Sequence, residues 1–177
     1  MKVEQNIPLI DDILDRHQDV TGSDLSGYRN HVYRMINFCF AQGEFEDETR
    51  EKLILAGCFH DIGIWTGHTF DYLPPSIDAA EHFLASGDRQ PWIPEISEMI
   101  DLHHRLRSIK DKQLAEVFRR GDLIDFSLGI VKFDVPASFV AEVKAAFPNA
   151  GFHKNLVRIA GKWIGRHPLN PIPVLKW

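Results

Sequence analysis

Leu53-Ile54-Leu55-Ala56-Gly57-Cys58-Phe59 is an unbroken apolar run, and His60 and Asp61 follow it at once. A segment of that character, entered from the polar stretch beginning near Asp47, reads as a helix that is apolar on nearly every side and therefore central to a core. Its end carries two groups that water normally claims. Burying them is costly unless they are paired or coordinate a metal. The run thus demands a fold in which another part of the chain brings partners to His60-Asp61. A His-Asp dipeptide alone is common and reads equally well as a capping or salt-bridged pair.

The rest of the chain is helical in pattern, with scarce strand signals and no internal repeat, low-complexity stretch or Ser/Gly/Pro-rich linker. A short helix is expected over about Ile7 to His17. A second begins near Ser23 or Asp24, either of which suits an N-cap, and stops near Gly43, with Leu25, Tyr28, Val32, Met35, Ile36, Cys39 and Phe40 as its buried stripe. An aromatic loop from about Gly63 to Pro75 follows the Asp47 helix. Further helices are expected over Ser76 to Ala85, through EISEMIDLHHRL, and over Asp111 to Leu128, Ala137 to Phe147 and Phe152 to Arg166. The tail HPLNPIPVLKW should be extended, with Val174, Leu175 and Trp177 packing back. The expected fold is an all-α bundle of one domain, 1–177.

At 177 residues and 44% hydrophobic, the chain can bury a core without a disulfide or structural metal. Cys39 and Cys58 sit in apolar runs and read as buried thiols. The formal charge of −5 and the lack of any dense Lys/Arg stretch disfavour a nucleic-acid surface. No apolar run approaches the roughly 20 residues of a membrane span, and the N-terminus lacks a signal-peptide pattern. The expected partners exclude nucleic acid and membrane, and the expected compartment is the cytoplasm. Apolar tail residues suit a homodimer.

Other polar residues fall near apolar stripes. His31 flanks the stripe of the second helix. His103 lies within the stripe of Trp92, Ile93, Ile96, Met99 and Ile100, with His104 about 100° round. In VFRRGDLIDFSLG the buried face is Leu114, Val117, Phe118, Gly121, Ile124 and Leu128. Periodicity puts Asp125 inside that face and Asp122 at its border. Taken singly, each is read as a satisfied core residue as readily as a ligand.

Together, His31, His60-Asp61 and Asp122 resemble the ordered H…HD…D signature of HD-domain phosphohydrolases. YRNHVYRMINF is similar to that family's first ligand helix, LAGCFHDIGIW to its HD helix, EMIDLHH to the helix supplying extra histidines in some members, and FRRGDLIDF to its last ligand helix. The signature region is 24–130; the segment 131–177 adds C-terminal helices and the tail, and AFPNAGFH and HPLNPIPVLKW resemble a bacterial subgroup without implying a substrate. The resemblance implies metal ligands His31, His60, Asp61 and Asp122, with Asp125 in reserve against the periodicity. It implies a divalent cation: two imidazoles and two carboxylates suit Mn, Fe, Co, Ni, Zn or Mg. It implies hydrolysis of a nucleotide or other small phosphate ester by activated water.

The match has departures. Some mononuclear nucleotidases of the family carry an acid three residues after the HD aspartate, where this chain has Ile64. The extra histidine and GYP element of HD-GYP members have no counterpart at matching positions, which leaves a second metal open; His68, in a loop, is the candidate substitute for that histidine, and His103 could ligate the second metal or bind phosphate instead. Catalytic candidates are Asp61, His103 and Arg34, the last one turn from His31 and able to hold a phosphate. Substrate-binding candidates are His104, Arg105, Trp65 and His68, with Trp65 and Tyr72 able to stack on a base and Asp71 able to protonate a leaving group. His17, His82, His153 and His167 read as structural or surface residues. Two other functions share the scaffold, a di-iron oxygenase and a non-catalytic binding module.

Overall fold

The computed structural model describes residues 1–176, and helices dominate them. They are α1 (Pro8–Asp15), α2 (Gln18–Thr21), α3 (Leu25–Phe40), α4 (Asp47–Phe59), α5 (Gly63–Thr66), α6 (Leu73–Leu84), α7 (Ile93–Leu102), α8 (Gln113–Phe126), α9 (Ala137–Ala146) and α10 (Phe152–Arg166). Among the described residues the only β-type pairing is one parallel bridge between Arg105 and Lys176. No helix among them is long and apolar enough to cross a membrane.

The first expected helix forms as α1, ending at Asp15, and the short α2, not expected from the sequence, follows it. Asp24 occupies the N-cap position of α3 without capping it. Its carboxylate instead accepts hydrogen bonds from Trp65 Nε1 at 3.1 Å and Asn155 Nδ2 at 2.8 Å, tying the start of α3 to α5 and α10. The expected aromatic loop is shorter than its sequence suggests. Its first residues form α5, and α6 starts at Leu73 with Pro74-Pro75 in its first turn, where a missing N–H costs nothing.

Both α3 and α4 are central. From His31 to Cys39 every residue of α3 is buried, as is α4 from Leu53 to Phe59. α3 packs most extensively on α8, α4 lies against α3 and α7, α6 pairs with α7, and α1 covers α3 and α4. The α3–α8 crossing is close because Gly121 has no side chain: a Cβ there would lie 2.3 Å from Cys39 Sγ and 3.0 Å from the Met35 carbonyl oxygen. With that approach Arg119, Asp122 and Asp125 are buried with Phe118 and Ile124, whereas Leu128, expected in the buried face, lies past the end of α8 at a φ of 56° and is exposed. Cys39 and Cys58 are buried free thiols, and burial pushes both above their ordinary values.

The tail returns to the body. Val174 is buried, and the N–H of Leu106 donates to the Lys176 carbonyl at 3.0 Å. Leu175 is half-buried; the expectation for Trp177 lies outside the described residues. Glu116 joins α8 to the segment after α7. It accepts from the Ile109 N–H at 2.9 Å, from Arg119 at 2.7 and 2.8 Å and from Arg120 at 2.8 Å.

Two predictions follow from these contacts. Gly121→Ala forces α3 and α8 apart and should lower stability by about 1–3 kcal/mol in urea unfolding, with Cys39→Ala restoring part of the loss in the double variant. The Glu116 carboxyl is held at about 2: burial raises it, but Arg119, the Ile109 N–H and Arg120 outweigh burial. A folded-state value below the unfolded one stabilises above the unfolded value, about 4.3, and that contribution vanishes as pH falls toward 2. Glu116→Gln should therefore flatten the fall in stability across that acidic range, measured as urea midpoints against pH.

Candidate metal centre

α4 ends at Phe59, and His60 begins a turn closed by hydrogen bonds from the Ile62 N–H to Phe59 at 3.1 Å and from the Ile64 N–H to Asp61 at 3.0 Å. Leaving the helix there lets neighbouring residues that would diverge on a helix face one point. Gly63 makes the turn fit: a Cβ on it would lie 2.2 Å from the Tyr72 carbonyl oxygen, and its N–H donates to Ser76 Oγ at 2.9 Å. α3 supplies His31, α8 supplies Asp122, and His103 follows the last residue of α7.

Each of three imidazoles has its Nδ1 committed. His31 Nδ1 lies 2.7 Å from Asp125 Oδ2, His60 Nδ1 2.8 Å from the Gly57 carbonyl oxygen, and His103 Nδ1 2.7 Å from the Ile100 carbonyl oxygen. Those oxygens only accept, so each Nδ1 donates, and each neutral ring presents a bare lone pair at Nε2. The Nε2 atoms of His31 and His60 lie 3.0 Å apart, an arrangement two lone pairs do not hold without positive charge between them. Asp122 Oδ1 stands 3.5 Å from His31 Nε2 and 3.9 Å from His60 Nε2. Asp61 Oδ2 stands 3.4 Å from His60 Nε2 and 3.8 Å from His31 Nε2. Asp61 Oδ1 and His103 Nε2, 3.7 Å apart, are buried with no hydrogen-bond partner.

These are the marks of a cation site. Adjacent ligands on a divalent ion with bonds near 2.1 Å lie about 3.0–3.4 Å apart, close to the spacings here. His31, His60 and Asp122 form one ligand set; His60, Asp61 and His103 form a second, and His103, His104 and Asp122 a third, each with donor atoms within 4.8 Å of one another. The residues fit a divalent metal.

Behind the ligands lies a second layer. Asp125 accepts from His31 and also from Arg34, at 2.5 Å to Nε and 2.8 Å to the terminal nitrogen. Arg34 donates further to the carbonyls of Phe147 and Pro148 at 3.1 and 3.2 Å. The Phe152 ring stacks on His31, centroids 4.2 Å apart. A carboxylate behind a histidine fixes its tautomer and raises its basicity as a ligand.

The electrostatics agree. Burial pushes His60 down to about 3, against the pull of Asp61, so the ring is neutral. Burial raises the Asp61 carboxyl, but His60, His103 and His31 hold it well below the usual range. Burial lifts Asp122 to about 6; Asp61 and Asp125 add to this and the histidines oppose it. Asp125 is held low despite burial because His31 and Arg34 both bond it. His103 is raised, as Asp61 and Asp122 outweigh its burial. His104 is driven down by burial and then by His103.

The cluster forms part of the wall of a cavity of about 590 Å³ lined by His31, Asp61, His103, Asp122 and, beyond them, Tyr72, His104, Arg105 and Arg119. Several expectations are corrected. Arg34 is spent on Asp125 and backbone carbonyls and does not line the cavity. Trp65 is buried against Tyr28, centroids 4.8 Å apart, with its N–H on Asp24, so it offers no face to a base. His68 lines a separate groove with Arg158, Lys162 and Arg166. Asp71 is exposed in a turn whose N–H donates to Thr69 Oγ1 at 3.0 Å. Periodicity's choice of Asp125 was right about burial, yet Asp122 is the carboxylate among the imidazole Nε2 atoms. His153, expected to be structural or at the surface, lines the cavity with its Nε2 3.1 Å from the Asp125 carbonyl oxygen. Arg119 in the cavity wall was also missed; the α8 pattern that located Phe118 and Asp122 carries that signal once the Gly121 contact sets the rotation.

Residues 28–133 match the family model described as HD domain. The chain belongs to the HD-domain family, within the metal-dependent phosphohydrolase superfamily, most of whose members are hydrolases. No curated protein and no solved structure matches it.

Removing a ligand should separate metal binding from folding. His60→Ala and Asp122→Ala should each lose the bound divalent ion, as measured by elemental analysis after dialysis. Chelation should lower the stability of the parent protein by about 2.7 kcal/mol when free metal had been a hundredfold above Kd. Asp125→Asn should weaken metal affinity about ten- to a hundredfold and also destabilise the metal-free protein, since Arg34 loses its buried partner.

Proposed function

We propose that the protein is a metal-dependent phosphohydrolase that cleaves a small phosphate ester with water. The observation carrying this reading is the meeting of the His31, His60 and His103 Nε2 atoms with Asp61 and Asp122 beside an open cavity, where Asp61 Oδ1 and His103 Nε2 have no partner. His31, His60, Asp61 and Asp122 would hold a divalent ion, which when bound would supply the charge to polarise a phosphoryl oxygen and acidify water.

The chain's own residues supply position. Asp125 holds the His31 ring, and the Gly57 carbonyl holds His60. Arg105 lines the cavity with its buried Nε unpartnered, free to bind a phosphate oxygen. His103, its Nδ1 fixed by Ile100, aims Nε2 at the same space; Asp61 and Asp122 favour its protonated form, in which it is placed to bind the phosphate or pass a proton to the leaving oxygen. His104 is oriented by the Tyr72 hydroxyl. The overlapping set His103, His104 and Asp122 favours a second reading in which two cations bind.

Phosphate release from nucleotides, sugar phosphates and simple esters, measured with Mn, Fe(II), Co, Ni, Zn and Mg in turn, tests the reading. Activity should vanish in His60→Ala and Asp122→Ala, and Arg105→Ala should lower kcat/KM by about ten- to a hundredfold through loss of a charged hydrogen bond. Metal per chain distinguishes one cation from two. Iron-dependent oxygen consumption without phosphate release would replace hydrolysis with oxygenation, and full metal binding without turnover would leave a binding module.

A further inference from the structure

We propose that the substrate is an amphiphile: a phosphate monoester of an apolar alcohol, its phosphate at the metal ligands and its chain in the cavity beside α10. The proposal rests on the phosphohydrolase reading and narrows its substrate. Away from the ligands the wall is hydrocarbon, with Phe70, Leu123, Phe126, Leu156, Ala160 and Ile164 among its residues. Among the described residues no Asn, Gln, Ser or Thr lines it, so the side-chain groups that usually read a nucleobase edge or sugar hydroxyls are lacking.

The polar groups that do line the cavity are largely engaged. Tyr72 bonds His104, Arg119 bonds Glu116, and His153 bonds the Asp125 backbone. Arg105 is the exception, and it suits the phosphate rather than the alcohol.

The apolar lining continues outward onto the surface. Leu106, Phe126, Val157 and Ile172 all line the cavity, yet are 53%, 55%, 73% and 42% exposed. A rim of that kind has a cost in water that a polar substrate would not repay.

The reaction balances without another reactant. Water oxygen bonds to phosphorus, the phosphorus–oxygen bond to the chain breaks, and the departing alkoxide takes a proton. The products are the alcohol and inorganic phosphate.

The test uses full-length, metal-loaded protein with monoalkyl phosphates from ethyl to octyl, below their aggregation concentrations. Phosphate release is measured beside calorimetric binding of the matching alkylphosphonates, which cannot be hydrolysed. Both kcat/KM and phosphonate affinity should rise about three- to fourfold per methylene. Ala160→Phe, which fills the cavity, should flatten that dependence. Should this variant not fold, Val157→Asp at the rim serves instead, lowering kcat/KM for octyl phosphate more than for ethyl phosphate. Equal turnover of short and long esters, or preference for nucleotides or sugar phosphates, would overturn the proposal and leave the hydrolase standing. Chain-length-dependent phosphonate binding with no phosphate released from any ester would overturn both the hydrolase and the substrate assignment, leaving a cavity for anionic amphiphiles.

Discussion

The carboxylate of Asp125, shared between His31 and Arg34, is the interaction on which the rest of the structure depends. His31 and Arg34 sit one turn apart on α3, and Asp125 meets both from α8. One buried group therefore fixes the spacing of α3 and α8, the tautomer of a metal ligand and the position of Arg34. Through the Phe147 and Pro148 carbonyls, Arg34 also anchors the end of α9. An ion pair this deeply buried adds little net stability over a well-packed apolar substitute, and losing one partner alone is costly. Its value here is geometric: Arg34 grips Asp125 through both carboxylate oxygens, and Asp125 Oδ2 holds His31 Nδ1, which directs Nε2 toward the other ligands.

The same economy explains the glycines around the centre. Gly121 lets α8 approach α3 closely enough for Asp122 to reach the imidazoles, and Gly63 lets the turn after Asp61 lie against the start of α6. The centre is thus built where three helix ends or crossings meet. Helices α3 and α8 and the ends of α4 and α7 hold its ligands, while α10 and the returning tail, which contribute part of the apolar wall, lie outside the matched family region. Conserving the chemistry of a scaffold while varying what encloses it is how one fold serves many substrates.

Much of this was legible in the chain. The apolar run before His60-Asp61 required a buried helix with partners for its polar end, and the stripe around His103 placed that ring inside. What failed has a common cause. Arg34, Trp65 and His68 lie near the signature in sequence or by helical face, but helical spacing gives an angle about one axis and not the identity of the facing group. Arg34 found Asp125, Trp65 found Asp24 and His68 turned to another groove. His153 reads as structural or at the surface, and nothing in the spacing of α10 says that it will hold the Asp125 backbone at the cavity wall.

By itself the sequence determined the all-helical class, the burial of the ligand-bearing segments and the kinds of atom available to a cation, because periodicity and side-chain chemistry are local properties. Tertiary structure alone decided that Asp122 faces the imidazoles while Asp125 stands behind His31, and that the cavity beside them is hydrocarbon. Both depend on the rotation and approach of α8 and α10 against α3, which are set by contacts between residues roughly a hundred positions apart.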